Sequence, residues 1–282
     1  MNILIIAFDF KPRQGGIADY SYNIAYGLHK NNNTIVLSKE YDNKCEYDEP
    51  FLVFRIPQYI FKYKFKINIF IYFLKEIYCI NKKFKINYII INSLSKHSLM
   101  NIFIAKLLRK KCYIAIHGQD VHKSNRSLKK LKKRLALILA DKIVCNSYYT
   151  QNLLHNYKIN TKKSFILYPS IDVDKLNQSN NISETEKIIL FKKKYDFKKY
   201  TILLSLCRLI ERKGIDKAIL ALEKIIKVNP NILYIICGNG SYKNTLKKIV
   251  NDLQLNDHVF FADYISENEK KYFFSISDIF IM

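Results

Sequence analysis

The sequence predicts an α/β fold of two doubly wound parallel-sheet domains, and three observations carry that reading. Short continuous apolar runs recur along the chain, with the length of strands buried on both faces. Between them lie segments with apolar residues at helical spacing, as at Ala218, Leu220, Ala221, Leu222, Ile225 and Ile226. The two kinds of segment alternate throughout, as crossovers on a parallel sheet require. A chain of 282 residues can bury two cores. The polar, turn-rich stretch 177–187 marks the boundary, giving domains 1–177 and 178–282.

The first strand is 3–8, and the Gly15-Gly16 pair opens the helix after it. Two glycines let a ligand reach the backbone N–H groups of a helix N-terminus, although a simple turn needs the same residues. A short strand follows at 34–38. Residues 59–67 alternate aromatic, aliphatic and Lys residues, and 70–78 has helical spacing. The alternation suits either a core-facing element or a membrane interface. A strand at 88–91 precedes a helix near 97–108. Another strand from 112 ends at His117-Gly-Gln-Asp120, which places His117 and Asp120 just past its carboxyl end. A helix over 128–140 carries Lys129, Lys130, Lys132, Lys133 and Arg134; it is either a solvated face or a contact for anionic lipid. Strands at 142–145 and 164–167 complete the first domain, with a helix starting at Asn146-Ser147.

In the second domain, a strand at 201–207 leads into Arg208-Leu-Ile-Glu-Arg-Lys213 and a helix over 215–227. Open α/β sheets bind ligands at such strand-to-helix connections. Two cations beside a helix N-terminus suit a pyrophosphate, though alone they also fit an ordinary surface loop. A strand at 232–237, the loop Gly238-Asn-Gly240, a helix over 243–253 and a strand at 258–261 follow. Ser266 and Glu269 form a capping-box pattern for a helix to about 277, and another strand begins at 279.

Lys and Arg outnumber Asp and Glu by 47 to 24, a net charge of +23. That favours a polyanionic partner such as nucleic acid, an anionic membrane or a phosphorylated substrate. Abundant Lys, Asn, Ile, Tyr and Phe also fit drift under AT-rich coding. The six cysteines are scattered singly, so structural zinc is not expected and a reducing cytoplasm is. The N-terminus lacks a basic leader region. No apolar run reaches the roughly 20 residues of a membrane span. Asp172-Val-Asp174 is a literal paired-carboxylate motif, which binds a divalent metal only in the right structural context.

Taken together, six stretches in order make the chain resemble the family-4 retaining glycosyltransferases of GT-B fold. They are the Gly15-Gly16 loop, Ile116-His-Gly-Gln-Asp120, Ala140-Asp-Lys-Ile-Val-Cys-Asn-Ser147, Ser205-Leu-Cys-Arg-Leu-Ile-Glu-Arg-Lys-Gly214, Ile236-Cys-Gly-Asn-Gly240 and Val259-Phe-Phe-Ala-Asp-Tyr264. The resemblance implies two Rossmann-like domains, the second incomplete, with the acceptor on the first, the donor on the second and the cleft between them. It implies that Arg208 and Lys213 hold the donor diphosphate and stabilise the leaving nucleotide. It further implies that Gly15 and Gly16 approach the donor phosphates, that His117 lies beside the transferred sugar, and that Gly238 and Gly240 border the nucleotide. Asp120 is a further candidate, for binding or for orienting its loop.

The implied reaction moves a sugar from a nucleotide-diphosphate-sugar donor to a glycan or lipid-linked acceptor for surface polysaccharide or lipopolysaccharide. It needs no cofactor and no metal. The expected location is the cytoplasm, with peripheral contact to an anionic membrane surface. Ser170 stands where the family commonly has Gly. The family also continues past Met282 into a Glu-(seven residues)-Glu motif, so weak or absent activity is expected of these 282 residues. Two alternatives stand beside this reading. One is a basic nucleic-acid-binding protein, disfavoured by the dispersed charges. The other is an inactive fragment that binds only membrane or partner.

Overall fold

The longer apolar runs become buried parallel strands because their side chains are taken up on both faces of a sheet. The computed structural model describes residues 1–13, 15–41, 49–62, 66–121, 127–170, 188–189, 191, 193 and 199–282. The chain forms two compact units, Met1–Asp172 and Val173–Met282. The expected boundary at 177/178 and the Asp172–Asp174 motif lie outside the described residues.

In the first unit the strands are β1 (Asn2–Ala7), β2 (Asn33–Lys39), β3 (Leu52–Ile56), β4 (Tyr88–Ile91), β5 (Lys111–Ile116), β6 (Lys142–Cys145) and β7 (Ser164–Ile166). They form one sheet in the order β3-β2-β1-β4-β5-β6-β7, every pairing parallel. The order reverses between β1 and β4, so the crevice outside their carboxyl ends is the switch point of the sheet. Helix α1 (Gly16–His29) connects β1 to β2, and the short helices α4 (Gly118–Val121) and α6 (Tyr148–Asn152) follow β5 and β6. Helices α2 (Lys66–Phe84), α3 (Ser98–Leu107) and α5 (Ser127–Leu139) pack in sequence, α2 on α3 and α3 on α5. Their inward residues join one core with Leu4, Ile6, Ile89, Ile114 and Ile143. Ala25 of α1 belongs to a separate core with Ile3, Ile5 and Val36. The alternating β1 residues thus feed two layers, as double winding requires.

Asp141 fixes the start of β5. Its carboxylate accepts from the Cys112 N–H at 2.7 Å and pairs with Lys106 at 2.7 Å. Burial pushes this carboxyl up, but those donors outweigh it and hold the group below its ordinary range.

Two local expectations need correction. Strand β3 was not expected: Leu52-Val-Phe-Arg-Ile is a partly exposed edge strand carrying a charge, so it lacks the uniform apolar signature. The Gly118–Val121 stretch is not an open loop but a short helix, α4, whose first turn holds Asp120. Of the 59–67 stretch, 58–62 forms a 3-10 helix with Ile60 buried and Tyr59 57% exposed. Residues 63–65 lie outside the described set.

In the second unit, β8 (Thr201–Leu206), β9 (Ile232–Cys237), β10 (Val259–Asp263) and β11 (Ile279–Phe280) form a parallel sheet in the order β10-β9-β8-β11. The order reverses between β8 and β11. Helices α7 (Ile215–Ile226) and α8 (Lys243–Asp252) bury Ile219, Leu222, Leu246 and Val250 against one face. Helix α9 (Glu267–Ser275) places Tyr272 and Phe273 on the other. Its predicted capping box is present. Ser266 Oγ accepts from the Glu269 N–H, and the Glu269 carboxylate accepts from the Ser266 N–H at 2.6 Å.

Candidate functional site

Within the first unit, the switch point is built from the ends of β1, β4 and β5. Gly15 and Gly16 stand at the N-terminus of α1, directly after the β1 loop. Gly15 has φ of 134°, a conformation open to glycine. Both residues are exposed, and no side chain caps the helix. A Cβ on Gly16 would meet nothing within 4 Å, so packing does not explain the absence of a side chain there.

His117 ends β5 and is 6% exposed. Its Nε2 lies 3.2 Å from the carbonyl oxygen of Asn92. A carbonyl only accepts, so Nε2 is the donor in this contact. The Tyr20 ring, from α1, meets the imidazole edge to face at 5.2 Å. Tyr20 donates its hydroxyl to the Leu167 carbonyl at 2.9 Å, and burial pushes its pKa up to about 12. Asp120 does not point outward. Its Oδ2 accepts from the N–H groups of Leu94 at 3.1 Å and His117 at 3.2 Å. One carboxylate therefore ties the β4 loop to the β5 loop, which is the loop-orienting alternative for Asp120.

Sequence reasoning missed the hub of this network. Asn92 follows β4; its N–H donates to Ile6 of β1 at 2.9 Å, its carbonyl accepts from His117, and its amide donates to Ser21 of α1. Its side-chain oxygen is buried without a partner among the described residues. The available signal was a polar residue placed directly after the apolar run Tyr88–Ile91.

Within the second unit, Arg208 and Lys213 occupy the connection from β8 to α7, and both are exposed. Lys213 closes a 3-10 turn, Glu211–Lys213, with Gly214 at φ 68° leading into α7. Its charge reaches Cys207: burial raises that thiol's pKa and Lys213 lowers it part of the way back. The Arg208 loop is bonded to the β9 loop by its backbone. Cys207 N–H donates to Cys237, Leu209 N–H to Asn239 at 3.0 Å, and Tyr242 N–H to Leu209 at 3.0 Å.

Gly238 and Gly240 are what allow this contact. A Cβ on Gly238 would stand 1.9 Å from the Cys207 carbonyl oxygen, and one on Gly240 would stand 2.1 Å from that of Leu209. The Gly238 N–H continues the connection to Asp263 of β10 at 2.6 Å. The two glycines thus position Arg208 through the backbone. Among the described residues no three His, Cys, Asp or Glu side chains gather as a metal site would need.

A model of glycosyltransferase family 4 matches residues 14–175, more than half of the chain. The chain belongs to that family. A second model, glycosyl transferases group 1, matches residues 186–282. The alpha-monoglucosyldiacylglycerol synthase of Streptococcus pneumoniae is 25% identical over 292 residues, covering all of this chain and 65% of the relative. The O-antigen biosynthesis glycosyltransferase WclY of Escherichia coli is 32% identical over 143 residues, half of this chain and 36% of its own length. The chain thus spans about two thirds or less of these relatives.

Among solved structures, Anabaena HepE in complex with UDP superposes with a TM-score of 0.76 at 15% identity, over 99% of this chain and 73% of that one. A glycosyltransferase from Rickettsia africae gives 0.73 at 21% identity, over 99% and 72%. The expected GT-B architecture is therefore borne out.

Proposed function

We propose that the chain binds donor and acceptor for a retaining glycosyltransferase reaction. It transfers a sugar from a nucleotide-diphosphate donor to a lipid or glycan acceptor in surface polysaccharide synthesis at the cytoplasmic side of a membrane. The observation that carries this reading is the loop holding Arg208 and Lys213. It stands at the carboxyl end of β8, at the reversal of strand order, with exposed cations on a backbone fixed by Gly238 and Gly240. Departure of a nucleoside diphosphate develops negative charge, and prepositioned cations stabilise it without reorganisation. In this reading the backbone at Gly15 and Gly16 meets donor phosphate, His117 lies beside the sugar, and Asp120 and Asn92 hold the loops that present it. The nucleotide sugar is a substrate, and neither cofactor nor metal is part of the reaction.

Calorimetric titration with UDP, GDP and ADP tests the donor site, beside an Arg208→Ala/Lys213→Ala variant. Binding of one nucleotide that the variant abolishes supports the reading and names the base. Equal binding by the variant removes these residues from the site. Where turnover is obtained, the anomeric configuration of the product by NMR tests retention.

A further inference from the structure

The outer surface of the α2-α3-α5 layer is apolar on all three helices. On α5, Leu128, Leu131, Leu135, Ile138 and Leu139 are 72%, 49%, 40%, 47% and 40% exposed. At 100° per residue they fall within an arc of about 100°. The residues that enter the core, Ala136 and Leu137 with Ala140 just past the helix, lie on a different arc and are buried. The helix therefore has two apolar faces, and among the described residues one is buried and the other exposed. On α2 the same holds: Ile69, Phe73, Ile77 and Ile80 point inward, while Ile67, Ile71 and Tyr78 are more than half exposed. Helix α3 adds exposed Phe103 and Leu107, and Phe103 meets Phe70 of α2 at 6.3 Å. Isolated exposed apolar residues need no explanation, but a helical layer of them does.

Charge selects the occupant. The three helices carry ten Lys and Arg residues, and their only acidic residue is Glu76. Lys132 and Arg134 flank the α5 stripe, and Lys75 and Lys82 flank that of α2; all four are exposed. A groove of about 300 Å³ beside the stripe is lined by Lys130, Leu131, Arg134, Asn156, Tyr157 and Lys158. Three cations and an apolar side chain in one groove fit a lipid phosphate with the start of its acyl region. Leucines at the centre with lysines at the rim is the arrangement of a helix lying in a bilayer interface.

We propose that this face docks the chain on an anionic membrane, with α5 embedded to the depth of its leucine stripe. The inference does not rest on the glycosyltransferase reading, since it involves neither Arg208 nor His117.

The test is flotation of the chain with vesicles of phosphatidylcholine alone and of phosphatidylcholine mixed with phosphatidylglycerol. Binding is expected only to the mixed vesicles and to weaken as salt rises. Leu131→Glu/Leu135→Glu should lose roughly tenfold or more in partitioning, and Lys130→Gln/Lys132→Gln/Arg134→Gln should lose most of the salt dependence. Both variants change exposed side chains, so circular dichroism and nucleotide titration should be unchanged. Leu220→Glu, on an exposed position of the second unit, should bind as the parent does. Equal binding to neutral vesicles, or full binding by the leucine variant, overturns the proposal. So does a dimer that the leucine variant dissociates while vesicle binding persists. Binding to single-stranded oligonucleotide with none to vesicles also overturns it.

Discussion

The two units fix the loops at their switch points by opposite means. In the first, polar side chains reach across gaps: Asp120 joins two loops, and Asn92 joins β1, α1 and β5. In the second, side chains are excluded and the backbones of the β8 and β9 loops lie in direct contact over Gly238 and Gly240. The first design depends on hydrogen-bonding chemistry and the second on the absence of a Cβ. They should therefore respond differently to substitution.

The largest effect should come from Gly238→Ala or Gly240→Ala. Either Cβ would overlap a backbone carbonyl, and Gly238 also has φ of 136°. The loss should be on the order of 3 kcal/mol in urea unfolding, with nucleotide binding lost as Arg208 is displaced. An alanine accepted within about 0.5 kcal/mol would break the contrast. Next, Arg208→Ala/Lys213→Ala should cost about 2 kcal/mol or more of nucleotide affinity while leaving unfolding nearly unchanged, because both side chains are exposed.

Asp120→Ala should cost about 2 kcal/mol of stability, since it orphans the N–H groups of Leu94 and His117 together. Asp120→Asn keeps one acceptor oxygen and should recover part of that loss. The smallest effect should be that of Gly16→Ala, within about 0.5 kcal/mol in unfolding, because its Cβ meets open space. A nucleotide-affinity loss without a stability loss there would sharpen the contrast, marking Gly16 as a place of ligand approach.

Acid separates the units further. The His97 ring is stacked on Phe73 and meets Phe8 and Phe61 edge to face. Burial, with Lys96 adding to it, lowers its pKa from 6.5 to about 4. The folded unit therefore holds this imidazole neutral while the unfolded chain protonates it. The contribution is fully present above about pH 6.5 and falls as pH drops through that window toward 4. His97→Phe should flatten this part of the stability profile, as read by urea midpoints at successive pH values.

Much of this was legible because buried parallel strands announce themselves by continuous apolar runs. The apolar run 232–237 coincides with β9, and Arg208, His117 and Asp120 lie just after such runs. Three things were not legible. Strand β3 carries a charge and lies at an edge, so its pattern is mixed. The reason for Gly238 and Gly240 is a contact with residues some thirty positions earlier, which local spacing does not encode. On α5 two apolar arcs coexist, so periodicity alone does not say which faces the core.

The contact between the β8 and β9 loops also bears on how this chain tolerates mutation. It has seven glycines in 282 residues. Four of them, at 15, 214, 238 and 240, either sit at positive φ or have no room for a side chain. Two of these, Gly238 and Gly240, leave no room for any side chain, whereas Gly214 lies in the left-handed region that Lys85, Arg109 and Lys158 also occupy. Mutational fragility at the glycines is therefore concentrated in one pair, 238 and 240, against the loop that carries the exposed cations.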